Sequence, residues 1–514
     1  MFNYGQDELS CSIALNIARG QLEASLSKEQ RVLVQKSYEE VVAIAAGDKA
    51  VYGINTGFGP LCSTVIAKEE TSKLQRNLLM SHSVGVGNAV SKEISKLMLI
   101  LKVHALSKGF SGISLEIIDR ILWHISENII PVVPEKGSVG ASGDLAPLSH
   151  LFLPLIGLGE VYENDKIVPT LKVLQAKGIQ PLNLGPKSGL ALINGTQFIL
   201  AHAVTLVEVM HRALSHADII GALMIEGLMG SKSPFNPKLH QLRPFKGNVH
   251  VAERIQHLLI GSEIMASHVN CGKVQDPYSL RCMPQVHGAS RNAWLHLKEL
   301  VEVELNSVTD NPIIFSRDET ISGGNFHGQP LAMVIDYACL AAAELGNISD
   351  RRSYLSLEGK TDGTPKLLMN HTGVNSGFMI LQYTSAALVS ENKGLCFPAS
   401  ADSIPTSLGQ EDHVSMGSIS GRKALRVCEN LETILAIELL CACQAIDFKR
   451  ALKSSTVLDE VHDLVRTQIH HASIDRVFAH DINDATALIQ SGKILSVVDK
   501  HLIPFTHSAS FEKH

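Results

Sequence analysis

Residues 197–229 read QFILAHAVTLVEVMHRALSHADIIGALMIEGLM, a stretch without proline whose apolar side chains fall on nearly every face of a 3.6-residue turn. A helix apolar on most faces has no side to give to water and belongs inside a bundle. Ala332–Leu357 and Ala424–Leu452 have the same character. Prolines are missing between Pro186 and Pro234, between Pro330 and Pro365, and between Pro405 and Pro504. Such stretches, rich in Ala, Leu, Ile, Glu and Met, favour long helices, so the chain is expected to be mainly α. Eight of the 19 prolines fall before residue 190. That part is expected to be mixed but mostly helical, with Gly-rich loops. Its clearest strand signal is a small hairpin, Gly159–Tyr162 with Lys166–Val168. Two domains are expected: an N-terminal domain over residues 1–195 and a long-helix bundle over 196–514.

Composition bounds the function. The chain has 514 residues, 45% of them apolar and 19% charged. Length alone allows about three domains or one large layered unit. The apolar content excludes wholesale disorder. So few charged side chains coat a monomer of this size poorly, and a buried subunit interface is expected. A net charge of −6, without a Lys/Arg block, argues against binding nucleic acid by phosphate neutralisation. The nine cysteines have no framework spacing and the first residues are polar and acidic. Reduced thiols in a cytoplasmic protein are expected. Cys441 and Cys443, two apart on a helix, point to different faces and are expected to be buried structural thiols rather than metal ligands. No metal site is expected: the 23 His are scattered, without an H-E-x-x-H pair. No uninterrupted apolar run reaches the roughly 18 residues of a membrane span. Leu431–Phe448 comes nearest, broken by Glu432, Glu438 and Asp447.

The most unusual loop is Gly137-Ser138-Val139-Gly140-Ala141-Ser142-Gly143-Asp144-Leu145. A phosphate loop needs Lys and then Ser/Thr after its glycines; Asp144-Leu145 stands there instead. A hydrolase nucleophile elbow, G-x-S-x-G, lacks its last Gly. A plain turn with Ser142 as a cap is one reading. The other is chemical. In Ala-Ser-Gly the Gly143 nitrogen can attack the Ala141 carbonyl carbon, because glycine leaves the bend unobstructed. Ser142 can then lose its hydroxyl as water. The product is a 4-methylidene-imidazol-5-one (MIO), an electrophile made from the chain, with no external cofactor.

Eight segments occur in one order: Tyr52 to Gly59 (YGINTGFG), Ser81-His82, Gly137 to Asp144, Asn194-Gly195-Thr196, Gln275 to Arg281 (QDPYSLR), Asp310-Asn311-Pro312, Gly323 to His327 (GGNFH) and Gln410 to Gly417 (QEDHVSMG). Over residues 50–450 this resembles the aromatic amino acid ammonia-lyase family, most closely its histidine-acting members. The resemblance implies the MIO ring, a long-helix bundle of the fumarase/aspartase-like type, and a homotetramer whose active sites draw on more than one subunit. The expected reaction is the non-oxidative deamination of L-histidine to trans-urocanate and ammonia.

The residue types suit that chemistry. Loss of ammonia requires removal of a weakly acidic β-proton and departure of a poor leaving group. An electrophile bonded to the amine or to the aromatic ring eases either step; attachment at the amine is the preferred version. Arg281 has the planar fork to clamp the substrate carboxylate. By resemblance Tyr52 and Tyr278 are catalytic phenols, and which of them, or Glu411, takes the proton is open. Asn194 and Gln275 can hold the ring's oxygens or the carboxylate. Phe326 matches a family position packed by ring and substrate. Asp144 is expected either to assist the dehydration or to cap the helix that follows it.

Two positions bear on the substrate. Ser81-His82 falls where the family holds the substrate side chain, and His82 can meet the far nitrogen of an imidazole. Glu411, in the form Gln410-Glu411-Asp412-His413, discriminates better. A carboxylate beside a phenyl is buried without compensation, but beside an imidazole it accepts an N–H bond or acts as base at the β-carbon. Pro277 and Leu408 depart from the small residues common in the family and are expected to bear on the pocket wall. The alternatives are a tyrosine or phenylalanine lyase, an aminomutase with the same ring, or a helical scaffold without activity.

Overall fold

The computed structural model describes every residue except Asp48, 62–65, 270–273 and His514, and omits the side chains of Leu61 and Lys68. Helices dominate. Those that matter for the site are α1 (Thr71–His82), α2 (Lys92–Leu106), α3 (Leu145–Phe152), α4 (Ser188–Ile193), α5 (Gln197–Gly227), α6 (Met283–Leu305), α7 (Gln329–Ser356) and α8 (Gly417–Asp447). The three apolar stretches singled out in the sequence are α5, α7 and α8. Cys441 and Cys443 are buried free thiols within α8. α5 and α7 are each apolar and long enough to cross a membrane, against the expectation that Leu431–Phe448 comes nearest. About 72% of each apolar stretch is buried inside the protein, as befits core helices.

The chain divides into two compact units, and neither is one continuous stretch. The first comprises Met1–Leu206, Lys298–Asp336 and Pro398–Arg422; the second comprises Val207–Leu297, Tyr337–Phe397 and Lys423–His514. This differs from the single boundary expected at residue 195. The physical reason is that two later segments return to the first unit, one carrying Asn311 and Phe326, the other Glu411.

In the first unit, α1, α3 and α4 pack on one another. Their ends carry the expected site: α1 finishes at His82, α3 begins just after Asp144, and α4 stops just before Asn194. Strand β1 (Val86–Ala89) pairs antiparallel with β3 (Pro134–Lys136), which delivers the chain to Gly137. Between them in sequence, β2 (Ile130–Pro131) joins the hairpin of β4 (Glu160–Glu163) and β5 (Lys166–Pro169). The hairpin turn is Asn164-Asp165, both at positive φ, as a two-residue turn matching strand twist requires.

In the second unit a buried charge network ties the long helices. Asp218 on α5 meets Arg291 and His287 on α6, and Glu438 on α8 pairs with Arg352 on α7. Asp218 is held well below the usual carboxylate range: burial alone raises it, but Arg291, His287 and Arg254 together outweigh that.

Candidate active site

A cavity of about 1130 Å³ in the first unit is lined by Tyr52, His82, Ala141, Ser142, Asn194, Phe326 and Glu411, among others. That is ample for an amino acid. These side chains come from six separate parts of the sequence, and the structure brings them together around one cavity.

At its centre the Ser142 hydroxyl donates to Glu411 Oε1 at 2.7 Å. The other carboxylate oxygen, Oε2, accepts from Thr406 Oγ1 at 2.9 Å and Ser407 Oγ at 2.8 Å. The loop is closed by Thr406 N donating to the Glu411 carbonyl at 2.9 Å. Ser407 and Leu408 both adopt left-handed φ, 50° and 54°. Non-glycine residues pay for that conformation in strain, and such strain gathers where a side chain must be aimed. Leu408 is 93% exposed and does not line the cavity, so its expected part in the pocket wall is not seen; Ser407 takes that place.

The Ala141-Ser142-Gly143 bend is clamped by the Asn194-Gly195 turn. Asn194 Nδ2 donates to the Ser142 carbonyl at 3.0 Å, and Asp144 N donates to the Gly195 carbonyl at 2.7 Å. Gly143 lies at φ +74°, and a Cβ there would sit 2.0 Å from the Gly195 oxygen. Only glycine fits. Behind the bend, Ala141 packs with Val414 and Met416 in a small apolar cluster.

Asp144 is fully buried, and its partners correct the sequence reading. It makes no side-chain cap on α3, the helix that follows it. Its Oδ2 instead accepts from Phe198 N at 3.1 Å and Ile199 N at 2.9 Å, so it caps the distant α5. Oδ1 accepts from Ser138 Oγ at 3.1 Å. Burial pushes its carboxyl up to about 7, against the pull of those hydrogen bonds. Replacing Asp144 by Ala is expected to lower the unfolding free energy by about 1–2 kcal/mol, the usual worth of a cap. Urea denaturation measures this, and an unchanged midpoint would leave the cap without energetic weight.

His82 is half-buried, with Nδ1 3.0 Å from Ser81 Oγ. Burial holds its pKa below the ordinary value, opposed in part by the Leu78 carbonyl and the Glu411 charge. The Tyr52 hydroxyl accepts from Gly59 N at 3.3 Å, within the Gly-rich turn. Gln275, Tyr278 and Arg281 belong to the second unit and do not line this cavity. Tyr278 is 70% exposed, with the Arg281 guanidinium 4.7 Å above its ring and hydrogen-bonded to Gln275. Pro277 is exposed in the same turn.

Several contributors had no role assigned to them in the sequence reading. Asn311 and His413 line the cavity, and Thr406 and Ser407 orient Glu411. Lys102 is wholly buried on α2, its Nζ 2.6 Å from the Asn194 carbonyl. One signal was present for it: a single cation in the apolar run Leu97-Met98-Leu99-Ile100-Leu101-Lys102-Val103. Such a residue needs a partner.

Residues 9–467 match the family model described as aromatic amino acid lyase. A histidine ammonia-lyase of Myxococcus xanthus is 44% identical over 96% of this chain and 97% of its own length. The crystal structure of a histidine ammonia-lyase from Trypanosoma cruzi superposes with a TM-score of 0.90 at 40% identity, covering 98% of this chain and 95% of that one. A tyrosine aminomutase from Streptomyces globisporus gives 0.92 at 34% identity, covering 98% and 99%. With a match over most of its length and a site assembled from the segments that carried the resemblance, the chain belongs to the aromatic amino acid lyase family.

Proposed function

We propose that the chain is an ammonia-lyase converting L-histidine to trans-urocanate and ammonia, the first step of histidine breakdown, with a methylideneimidazolone formed from its own Ala141, Ser142 and Gly143. The observation that carries the reading is the Glu411 carboxylate bonded to Ser142 inside a cavity that also holds His82.

The residues fit the ring. Closure joins Gly143 N to the Ala141 carbonyl carbon and releases two waters. One takes the Ala141 oxygen with the amide hydrogens of Ser142 and Gly143, the other the Ser142 hydroxyl and α-hydrogen. Gly143 already has the left-handed bend, and Asn194 already holds the Ser142 carbonyl. Once formed, the ring supplies an electrophile that draws electrons from the substrate.

The chain's own groups do the rest. Asn194 Nδ2 polarises the Ser142 carbonyl oxygen, and its buried Oδ1 has no partner among the described residues, leaving an acceptor for a substrate donor. His82, kept neutral by burial, meets the far nitrogen of the substrate imidazole. Glu411 accepts the imidazole N–H or the β-proton, and Tyr52 is the phenol that lines the same cavity. Phe326 bounds the side-chain pocket.

In this reading the active form is a homotetramer, and the Gln275–Arg281 segment of another copy completes each site, bringing Tyr278 as second phenol, Arg281 as carboxylate clamp and Gln275 as amide. The exposure of Tyr278 supports this, as does a stripe of exposed apolar side chains at helical spacing on α7, Met333, Tyr337, Leu340 and Tyr354.

The test is incubation with L-histidine, L-tyrosine and L-phenylalanine in turn, following the ultraviolet band of the conjugated acid and ammonia release. Urocanate and ammonia in equal amounts are expected from histidine. Accumulation of coumarate or cinnamate alone, or of a β-amino acid, would replace the substrate or the reaction type.

A further inference from the structure

Lys102 is the one buried cation whose ammonium reaches the turn that clamps the Ala141-Ser142-Gly143 bend, among the described residues. It sits at the middle of the most buried part of α2, where every residue from Leu97 to Leu106 is buried. Its Nζ donates to the Asn194 carbonyl at 2.6 Å, with Gln197 Oε1 at the outer limit of 3.5 Å. The two neighbouring peptide units then reach forward. The Asn194 side chain donates to the Ser142 carbonyl, and the Gly195 carbonyl accepts from Asp144 N. Gly143 and Gly195 run alongside each other as a parallel bridge. The chain of contacts is short, buried at the ammonium and half-buried where it meets Ser142: ammonium, Asn194-Gly195, bend.

We infer that Lys102 is a positioning residue for ring formation, fixing the Asn194-Gly195 turn from behind so that the turn holds Ser142 and Asp144 in the bent register that closure needs. The inference rests on the ring proposed above. Burying an ammonium is costly, and burial pulls this one down to about 7, with Asp310 and Asp144 opposing and Lys187 adding to the fall. Lys187 already pairs with Asp310 at 2.7 Å, so neutralising that carboxylate does not account for a second lysine. What Lys102 alone supplies is the donor on the Asn194 carbonyl. An apolar residue of the same length would fill the space without it.

The experiment follows the intact mass of the full-length chain with time after synthesis, for wild type, Lys102→Met and Lys102→Arg, together with kcat and KM on histidine. Lys102→Met keeps the length and removes the donor. It is expected to slow the loss of two waters at least about tenfold, the worth of a charged hydrogen bond at the barrier. KM of the fraction that has dehydrated should stay within about threefold. Lys102→Arg, which keeps a cationic donor, is expected to dehydrate within about tenfold of wild type and faster than the Met variant. Should Lys102→Met fail to fold, Lys102→Gln, a weaker donor, takes its place under the same criteria. A Met or Gln variant that dehydrates at the wild-type rate, or an Arg variant no faster than Met, overturns the inference. A wild-type chain of full mass that is nonetheless active sinks the ring itself, and is read before any variant is compared.

Discussion

Replacing Ser142 with Ala is expected to lower histidine turnover by at least about a thousandfold while leaving helical content and assembly unchanged. The argument separates chemistry from folding. The substitution removes one oxygen and keeps the Cβ, so the space occupied within the bend hardly changes. The hydrogen bond lost is the one to Glu411 Oε1. Glu411 keeps the hydroxyls of Thr406 and Ser407 on its other oxygen, so the acid is not stranded. A single hydrogen bond in a solvent-reachable cavity contributes about 1 kcal/mol to stability, too little to unfold a protein of this size. The chemistry, by contrast, loses its leaving group: without the hydroxyl there is no second water to expel and no exocyclic methylene. Circular dichroism, the sedimentation behaviour of the assembly, intact mass and the rate of urocanate formation measure the two halves independently. Turnover near that of wild type in a correctly folded variant would falsify the ring mechanism. Loss of turnover together with loss of helix would instead make Ser142 a structural turn residue.

Much of this site could be read from the chain because its chemistry is local. Ala141-Ser142-Gly143 is contiguous, and each of the other segments carries its own small motif. The long helices α5, α7 and α8 were legible for a different reason: each is proline-free and apolar on most faces, a pattern that no exposed helix supports. What could not be read is long-range return. Nothing local in Lys298–Asp336 or Pro398–Arg422 says that these segments rejoin the first unit, yet that is how Phe326 and Glu411 reach Ser142. Asp144 shows the same limit at the scale of one side chain. Its position before Leu145 is a regular N-cap signal, but its carboxylate reaches across to α5, because Asn194-Gly195 brings the start of that helix against the bend. Capping rules count residues along the chain and are blind to a helix that arrives from elsewhere. The left-handed pair Ser407-Leu408 was likewise invisible, since neither residue type favours that conformation.

Glu411→Gln is expected to cut kcat on histidine by about a hundredfold or more, with KM changed by no more than a few-fold. The two carboxylate oxygens are differently placed to act. Oε2 is held by Thr406 and Ser407, which fixes the plane of the group. Oε1 has the Ser142 hydroxyl, the group that would depart in the proposed ring closure. Dehydration therefore strips Oε1 of its donor and leaves a lone pair facing the cavity that holds His82 and Asn194. A glutamine matches the shape and can still accept from the two anchoring hydroxyls, but it has almost no basicity. If Oε1 takes the β-proton, the amide removes a step and kcat falls. If Oε1 only accepts the substrate's imidazole N–H, the amide, whose oxygen stays with the two hydroxyls, presents its NH2 group there instead, and the cost appears in KM. Steady-state kinetics on fully dehydrated variant, verified by mass so that slow ring formation is not mistaken for slow chemistry, decides between them. A raised KM at unchanged kcat assigns Glu411 to substrate binding and leaves a phenol, Tyr52 or Tyr278, as the base.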